Sequence, residues 1–194
     1  MRRLAVLFLA LAVVVIVPTA AFALKSPPKG APCQVAPKGE WTFCPFGGLA
    51  HRDLNGAILL GAILYKANLT AANLTGAVLL DANLTGANLY KANLTGAFLV
   101  GARLAGANLM GANLTGANLN GANLYKANLS GADLTGADLD SAYLAGANLT
   151  RATLDRASLF RASLFKARVV GTSFLGATFG YTVCSNGRTT DTDC

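Results

Sequence analysis

Hydrophobic residues recur with a period of five through most of this chain. Leucine recurs at every fifth position from Leu54 to Leu164, and an alanine stands two residues before nearly every one. The positions between them are mostly Asn, Asp, Thr or Gly, and the pattern comprises twenty-six consecutive units from Arg52 to Tyr181. In the last three units the leucine is replaced by Val169, Phe174 and Phe179.

A period of five fits neither a regular helix nor a straight strand. Leucines five residues apart on an α-helix are rotated by about 140°, so they cover every side of it. On a strand they alternate between the two faces. A chain that turns after each unit aims every leucine at one axis, and the alanine fills the space beside it. Glycine at the end of many units supplies the turn.

The repeated units Ala107-Asn108-Leu109-Met110-Gly111 and Ala112-Asn113-Leu114-Thr115-Gly116 resemble the A(N/D)LxG motif of the pentapeptide-repeat family. The resemblance implies an all-β fold: a right-handed quadrilateral β-helix with four units per coil. Twenty-six units then make about six and a half coils, a rod about 31 Å long at the spacing of neighbouring strands. We expect the β-helix to occupy residues 51–181, with caps at both ends.

The first residues form a separate segment. Arg2 and Arg3 precede an apolar run, and Ala21-Phe22-Ala23 ends it. This order is typical of a secretory signal peptide over residues 1–23, which places the mature protein in the periplasm or outside the cell. The alternative is an uncleaved membrane anchor, since Leu4 to Leu24 is long enough to span a bilayer. Residues 24–50 then form a linker and an N-terminal cap, with Trp41, Phe43 and Phe46 over the first coil.

Four cysteines flank the repeats in two pairs. A disulfide requires Cα atoms within about 7 Å, and a rod about 31 Å long separates the pairs. We therefore predict Cys33–Cys44 in the N-terminal cap and Cys184–Cys194 in a C-terminal tail over 182–194. That tail resembles the closing segment of exported family members, TxCPDGTxS…C, although Ser185 and Asn186 replace its Pro-Asp.

Charge bears on the known partners of the family. Some cytoplasmic members mimic DNA and bind topoisomerases, which requires a strongly acidic rod. The repeats of this chain hold ten Lys or Arg and six Asp, a net charge of +4. The charge and the signal peptide disfavour DNA mimicry, and we expect no nucleic-acid partner. A membrane is expected as a partner only if the N-terminal segment stays uncleaved.

One side of the predicted rod is apolar. At twenty residues per coil, six outward positions in three successive coils stack on one side, and all of them are hydrophobic. A contiguous apolar patch of this kind usually contacts something. Either the N-terminal cap covers it, or it binds a second copy or another protein. The candidate interaction face consists of Ile58, Leu60, Val78, Leu80, Phe98 and Val100.

Near the C-terminal end, four cations occupy equivalent positions on four successive sides, beside Phe160 and Phe165. Such a girdle suits polyanions or glycans, or it is a solvated ring that blunts end-to-end stacking. Its members are Arg151, Arg156, Arg161 and Lys166. Two polar columns also form, one of asparagines from Asn68 to Asn148 and one of threonines from Thr75 to Thr135. Coil-to-coil hydrogen bonding explains both better than recognition of an ice lattice.

Nothing in the sequence forms a convincing reactive site. His51 is the single histidine, and Asp133, Asp138 and Asp140 cluster on a convex surface without a cleft. We predict no enzyme activity, no metal and no cofactor. The sequence favours a non-enzymatic exported scaffold that uses the candidate interaction face. A polyanion or glycan binder is the alternative.

Overall fold

The computed structural model describes residues 48–190, of which residues 48–183 form a continuous β-helix. Parallel bridges join residues twenty apart without insertion, from Gly48↔Asn68 at one end to Ser163↔Val183 at the other. Each coil therefore has four sides of five residues. The right-handed quadrilateral β-helix predicted from the sequence is confirmed, and the described residues contain no helix.

Named strands lie at the C-terminal end. β1 (Ser158–Phe160) pairs in parallel with β2 (Thr178–Gly180) in the next coil. β3 (Thr182–Val183) pairs antiparallel with β4 (Thr189–Thr190). The parallel pairing thus continues past Tyr181, and the chain then folds back in a hairpin that closes this end.

Leucine and alanine fill the interior as their spacing predicts. The leucines from Leu64 to Leu164 are all 0% exposed, and most alanines two positions earlier are 0–1% exposed. Leu49 is also buried, one unit before the first leucine of the strict sequence pattern. Val169, Phe174 and Phe179 pack against the last coils but stay partly exposed.

The corner of every unit adopts a left-handed backbone conformation. From His51 to Tyr181, each residue two positions after the interior residue has a φ between 51° and 68°. Glycine adopts this region without cost, whereas an L side chain is strained there. Twelve of these corners nevertheless carry a residue other than glycine.

Backbone hydrogen bonding explains why the outward position is so often Asn or Asp. In a typical unit four N–H groups donate to carbonyls, as in Ala77→Leu74 at 3.0 Å and Leu79→Phe98 at 2.7 Å. The fifth, just after the interior residue, donates instead to the side chain two residues earlier. Thr75 N–H donates to Asn73 Oδ1 at 3.2 Å in this way. The Asx side chain satisfies a donor that the coil itself leaves unpaired.

In the segment that closes the C-terminal end, other residues occupy the interior positions of the repeat. Cys184 takes the place of an interior leucine and is 3% exposed. Thr182 takes the place of an alanine, is fully buried, and donates its hydroxyl to the Leu159 carbonyl at 2.6 Å. Cys184 is disulfide-bonded, and its partner lies outside the described residues. Both predicted pairings stay predictions, as do the signal peptide and the N-terminal cap, which precede residue 48.

Candidate functional site

The structure brings all six residues of the candidate interaction face together. Ile58 bridges Val78, and Val78 bridges Phe98, so the three coils stack in register. Ile58, Leu60 and Phe98 are 46–48% exposed, and the other three are half-buried. We call this surface the apolar face. It ends at Asn118, the next residue in the column.

The apolar face also lacks the Asx hydrogen bond that is present in most other units. Above it on the same side, Asn120 N–H donates to Asn118 Oδ1 at 3.0 Å, and Asp140 N–H donates to Asp138 Oδ1 at 3.0 Å. Ile, Val and Phe cannot accept such a bond. Within residues 48–190, the N–H groups of Leu60, Leu80 and Val100 have no protein acceptor. These three coils have given up a local hydrogen bond for an apolar surface.

The four cations predicted as a girdle do lie at four successive corners, and all are exposed. We call them the basic girdle. Their φ angles are 56–58°, in the region where a side chain costs about 1–2 kcal/mol. Four consecutive non-glycine corners make this the longest such run in the described chain.

The side chains of the girdle make two kinds of contact. The Arg151 and Arg156 side chains lean toward the next coil. Their Cγ atoms lie 3.6 and 3.7 Å from where a Cβ would stand on Gly171 and Gly176. Arg161 and Lys166 instead lie over the rings of the residues before them, 5.0 and 5.1 Å from the centroids of Phe160 and Phe165. The corners at Arg161 and Lys166, together with the corners Gly171 and Gly176 that the stems of Arg151 and Arg156 approach, make up the level of residues 160–176.

An exposed apolar side chain stands beside each cation at this level. The corner with Arg161 presents Phe160, and the corner with Lys166 presents Phe165. The corner that Arg151 reaches presents Val170, and the corner that Arg156 reaches presents Leu175. Exposure rises along the series from 39% to 43%, 60% and 77%. Sequence reasoning missed Val170 and Leu175, although both share the repeat phase of Phe160 and Phe165.

Formal charge is divided unevenly along the rod. Residues 48–150 hold five cations and five Asp, whereas residues 151–190 hold six cations and one Asp, a net of +5. Asp191 and Asp193 follow, so the net charge of residues 151–194 is +3. The positive charge of the rod is thus concentrated in its last two coils.

Aromatic–cation pairs also occur earlier in the rod. Lys66, Lys91 and Lys126 lie over the tyrosines before them at 5.2, 5.3 and 5.0 Å from the ring centroids. The sequence could have predicted these pairs, because each of them is a Tyr-Lys dipeptide at the same position of the repeat. A flexible lysine over a neighbouring ring at an exposed site is a modest local contact.

The two polar columns behave differently from each other. Asn108, Asn128 and Asn148 each donate to the asparagine one coil earlier at 3.1–3.4 Å, which confirms the predicted amide ladder there. The threonine column was misinterpreted. Its hydroxyls donate within their own coil, as from Thr95 Oγ1 to Asn93 Oδ1 at 2.6 Å. The main role of each threonine is therefore to reinforce an Asx turn in its own coil.

The acidic cluster is part of the same backbone scheme. Asp133 accepts from the Thr135 hydroxyl at 2.6 Å and its N–H at 2.9 Å. These bonds hold the pKa of Asp133 below its ordinary 3.8, against the opposing effect of burial. Asp140 accepts from Ser158 Oγ and Phe160 N–H in the next coil. Residues 48–190 contain no group of three side chains that could hold a metal ion.

Comparison with known proteins assigns the family. A family model for pentapeptide repeats matches residues 49–79, 62–99 and 87–125. Among solved structures, HetL is 32% identical over 73% of this chain and 78% of its own, with a TM-score of 0.54. HetL is a pentapeptide repeat protein involved in heterocyst differentiation regulation from the cyanobacterium Nostoc sp. strain PCC 7120.

This chain belongs to the pentapeptide repeat proteins. A second solved structure, a trypsin-treated variant of QnrB1, is 23% identical over 71% of this chain and 74% of its own, with a TM-score of 0.62. QnrB1 is a plasmid-mediated fluoroquinolone resistance protein, and at this identity the likeness concerns the fold alone. No curated protein matches the chain. No helix within residues 48–190 is long and apolar enough to cross a membrane.

Proposed function

We propose that this pentapeptide repeat protein is a non-enzymatic exported scaffold whose apolar face binds a second copy of the chain. The observation that carries the proposal is the replacement of Asx by Ile58, Val78 and Phe98 in three stacked units. Each replacement removes a side-chain acceptor and exposes hydrocarbon. Apolar surface is favourable to bury against a partner, whereas it contributes little to the isolated coil.

A twofold axis suits this surface. If the axis lies in the interface and crosses the rod, Leu80 meets the partner's Leu80 and the rods run antiparallel. The outer coils of the face, with Ile58 and Phe98, then lie opposite each other. Each of the three coils of the apolar face then contacts an apolar coil of the second copy.

Charge favours the antiparallel arrangement over a parallel one. A parallel pair would place two cationic ends side by side, where like charges repel. The antiparallel pair brings together residues 48–100, which hold three cations and two Asp. It directs the two basic girdles to opposite ends of the assembly.

Leu80→Lys tests the proposal. Because Leu80 lies on the twofold axis, the change would bury two ammonium groups against each other. Met110→Lys is the matched control, since Met110 occupies the same phase of the repeat on another side and is 39% exposed. Light scattering should find a dimer for the natural chain and for Met110→Lys, and a monomer for Leu80→Lys.

A monomeric natural chain would overturn the second-copy proposal. It would favour coverage of the apolar face by the segment with Trp41 and Phe43. Cross-linking from Val78 would then reach that segment in the same chain, whereas in the dimer it would join two chains. An assembly that only forms with a different protein would likewise count against the second copy.

Export is the other part of the proposal, and Ala21-Phe22-Ala23 and the flanking cysteines support it. N-terminal sequencing of protein from its native host should give residue 24 as the first. Non-reducing peptide mapping should find Cys33–Cys44 and Cys184–Cys194. An intact Met1 would favour a membrane anchor instead, and four free thiols would contradict both the pairing and the export.

A further inference from the structure

Charge is also divided between the sides of the rod. Each unit is counted here with the corner that ends it. The two adjacent sides built on the columns of Leu64 and Leu69 hold seven cations and no Asp, a net charge of +7. The other two sides hold three cations and all six Asp of the repeats, a net of −3. We call the first two sides the basic surface. Its cations, all of them exposed, are Lys66, Lys91, Arg103, Lys126, Arg151, Lys166 and Arg168.

The basic surface runs along the rod and includes half of the basic girdle. Arg151 and Lys166 belong to it, whereas Arg156 and Arg161 end units of the two acidic sides. Since the four cations stand at successive corners, Arg156 is diagonally opposite Lys166. From Lys66 to Arg168 the basic surface extends over about five coils, or about 24 Å at the spacing of neighbouring strands.

The cations of this surface are held in place by the coil. Five of the seven stand at corners with φ angles of 54–58°, where glycine would avoid the strain of an L side chain. The Cγ atoms of Lys66, Lys91 and Lys126 lie 3.2–3.5 Å from where a Cβ would stand on the glycine one coil later. Their ammonium groups lie 5.0–5.3 Å from the ring centroids of the preceding tyrosines. Side chains ordered in this way lose less entropy when a ligand binds.

The shape of the basic surface favours a linear anionic polymer. The cations occupy two sides that meet at a corner, and they are spread along the rod. A small ligand would contact only a few of them. A flat bilayer laid along a square rod touches one side or one edge. A flexible polyanion that runs lengthwise can contact the cations of both sides.

The tyrosines of the surface favour sugar units over nucleobases. Bases stack on open aromatic faces, but a lysine already lies over Tyr65, Tyr90 and Tyr125. Tyr125 also stacks on Tyr143, with ring centroids 5.9 Å apart. Within residues 48–190 the hydroxyls of these four tyrosines have no hydrogen-bond partner. Each can donate to and accept from the hydroxyls of a sugar.

We infer that the basic surface binds an acidic polysaccharide along the length of the rod. Its anionic groups pair with the lysines and arginines, and its hydroxyls bond to the tyrosines. The choice of a polysaccharide rests on the proposed export, which the disulfide at Cys184 supports, because disulfides persist in oxidising compartments. The surface itself is independent of the proposed dimer, since the apolar face lies on another side.

Binding of the full chain to alginate, a linear carboxylated polysaccharide, tests the inference by affinity electrophoresis, with uncharged dextran as the reference. The variant Arg151→Gln/Arg168→Gln removes two cations from the basic surface. Its matched control, Arg156→Gln/Arg161→Gln, removes two arginines from the same end of the rod and leaves the same net charge. Circular dichroism melting establishes that each variant is folded.

We expect the natural chain to bind alginate but not dextran. Arg151→Gln/Arg168→Gln should weaken binding about tenfold, as the loss of two exposed ion pairs predicts. The matched control should change little at physiological salt, where charges more than about 8 Å away are screened. Lys66→Gln/Lys126→Gln should weaken binding as much as the first variant, because the polymer lies along the whole surface.

Three results would overturn the inference. One is an absence of alginate binding by the natural chain. Another is equal weakening by Arg151→Gln/Arg168→Gln and its control, which would reduce the effect to overall charge. The third is binding to duplex DNA or to phosphatidylglycerol vesicles that depends on the basic surface when alginate binding does not. Export is decided separately by the first residue of the mature chain, so either proposal can fail without the other.

Discussion

Between Gly48 and Val100 the rod is nearly neutral and one of its sides is apolar, whereas from Arg151 onward every corner of a full coil is cationic. Both regions have the same backbone. Bridges twenty residues apart run through each, and the interior leucines Leu79 and Leu159 are both 0% exposed. The difference lies wholly in the three outward positions of each unit.

The comparison shows how this fold separates stability from recognition. Two of every five residues are fixed by the core, and one corner is fixed by its positive φ. The side chains at the remaining outward positions face solvent or the adjacent coil. In the N-terminal region the outward positions of one side carry hydrophobic side chains. In the C-terminal region the corners carry Arg and Lys.

The largest expected effect tests whether the two regions share one core. Leu79→Ala and Leu159→Ala should each lower the free energy of unfolding by about 2–5 kcal/mol, because each removes a fully buried side chain. Urea denaturation of both variants measures the two costs. A nearly silent Leu159→Ala would show that the last coils do not unfold with the rest.

Corner strain is the next effect, and it should have opposite signs in the two regions. Gly76→Arg places a side chain at φ 60°, in open space, and should cost about 1–2 kcal/mol. Arg156→Gly relieves strain at φ 58° but adds freedom to the unfolded chain, so we expect a net gain below about 1 kcal/mol. Thermal melting compares them. A loss of stability in Arg156→Gly would mean that its packing on Gly176 outweighs the strain.

Val78→Asn separates folding from binding in the N-terminal region. The asparagine would supply the acceptor that Leu80 N–H lacks, so the stability of a single chain should stay within about 1 kcal/mol of the natural one. The dimer should weaken, because the NH2 group of the asparagine would be buried without an acceptor. Light scattering and melting in the same buffer measure both. Asn118→Val, one coil beyond the face, is the reverse control. An unchanged dimer in Val78→Asn would place the interface elsewhere.

The smallest expected effect concerns pH and the middle of the rod. Hydrogen bonds from Thr135 hold the pKa of Asp133 below 3.8. A carboxyl with a lowered folded pKa adds stability above its unfolded pKa, and this is lost as pH falls through the folded value. Thr135→Ala should raise the pKa of Asp133, which NMR titration of the carboxyl would show. The pH range over which protonation of Asp133 destabilises the fold should then become narrower.

Thr95→Ala is the matched control, because its partner Asn93 carries no titratable group. It should leave the acid dependence of the melting temperature unchanged. An unmoved Asp133 pKa in Thr135→Ala would mean that the hydroxyl bond does not lower it.

The leucine and alanine spacing was enough to predict a chain that turns after every unit around one axis, and the resemblance to pentapeptide repeats supplied the four units per coil. The stacking of the apolar face follows from the two together, since residues twenty apart must align when no insertion intervenes. The same regularity predicted the asparagine ladder, because identical amides stack at the coil spacing.

The features that the sequence did not predict depend on where each side chain points and on what it contacts in the neighbouring coil. The sequence could not show that Arg151 and Arg156 lean over Gly171 and Gly176, because that depends on the space a missing Cβ leaves one coil away. It could not show that the threonine hydroxyls turn back to their own coil, since an acceptor two residues earlier competes with the next coil. The five-residue period determined where each side chain is attached, and only contacts across the coils determined where it points.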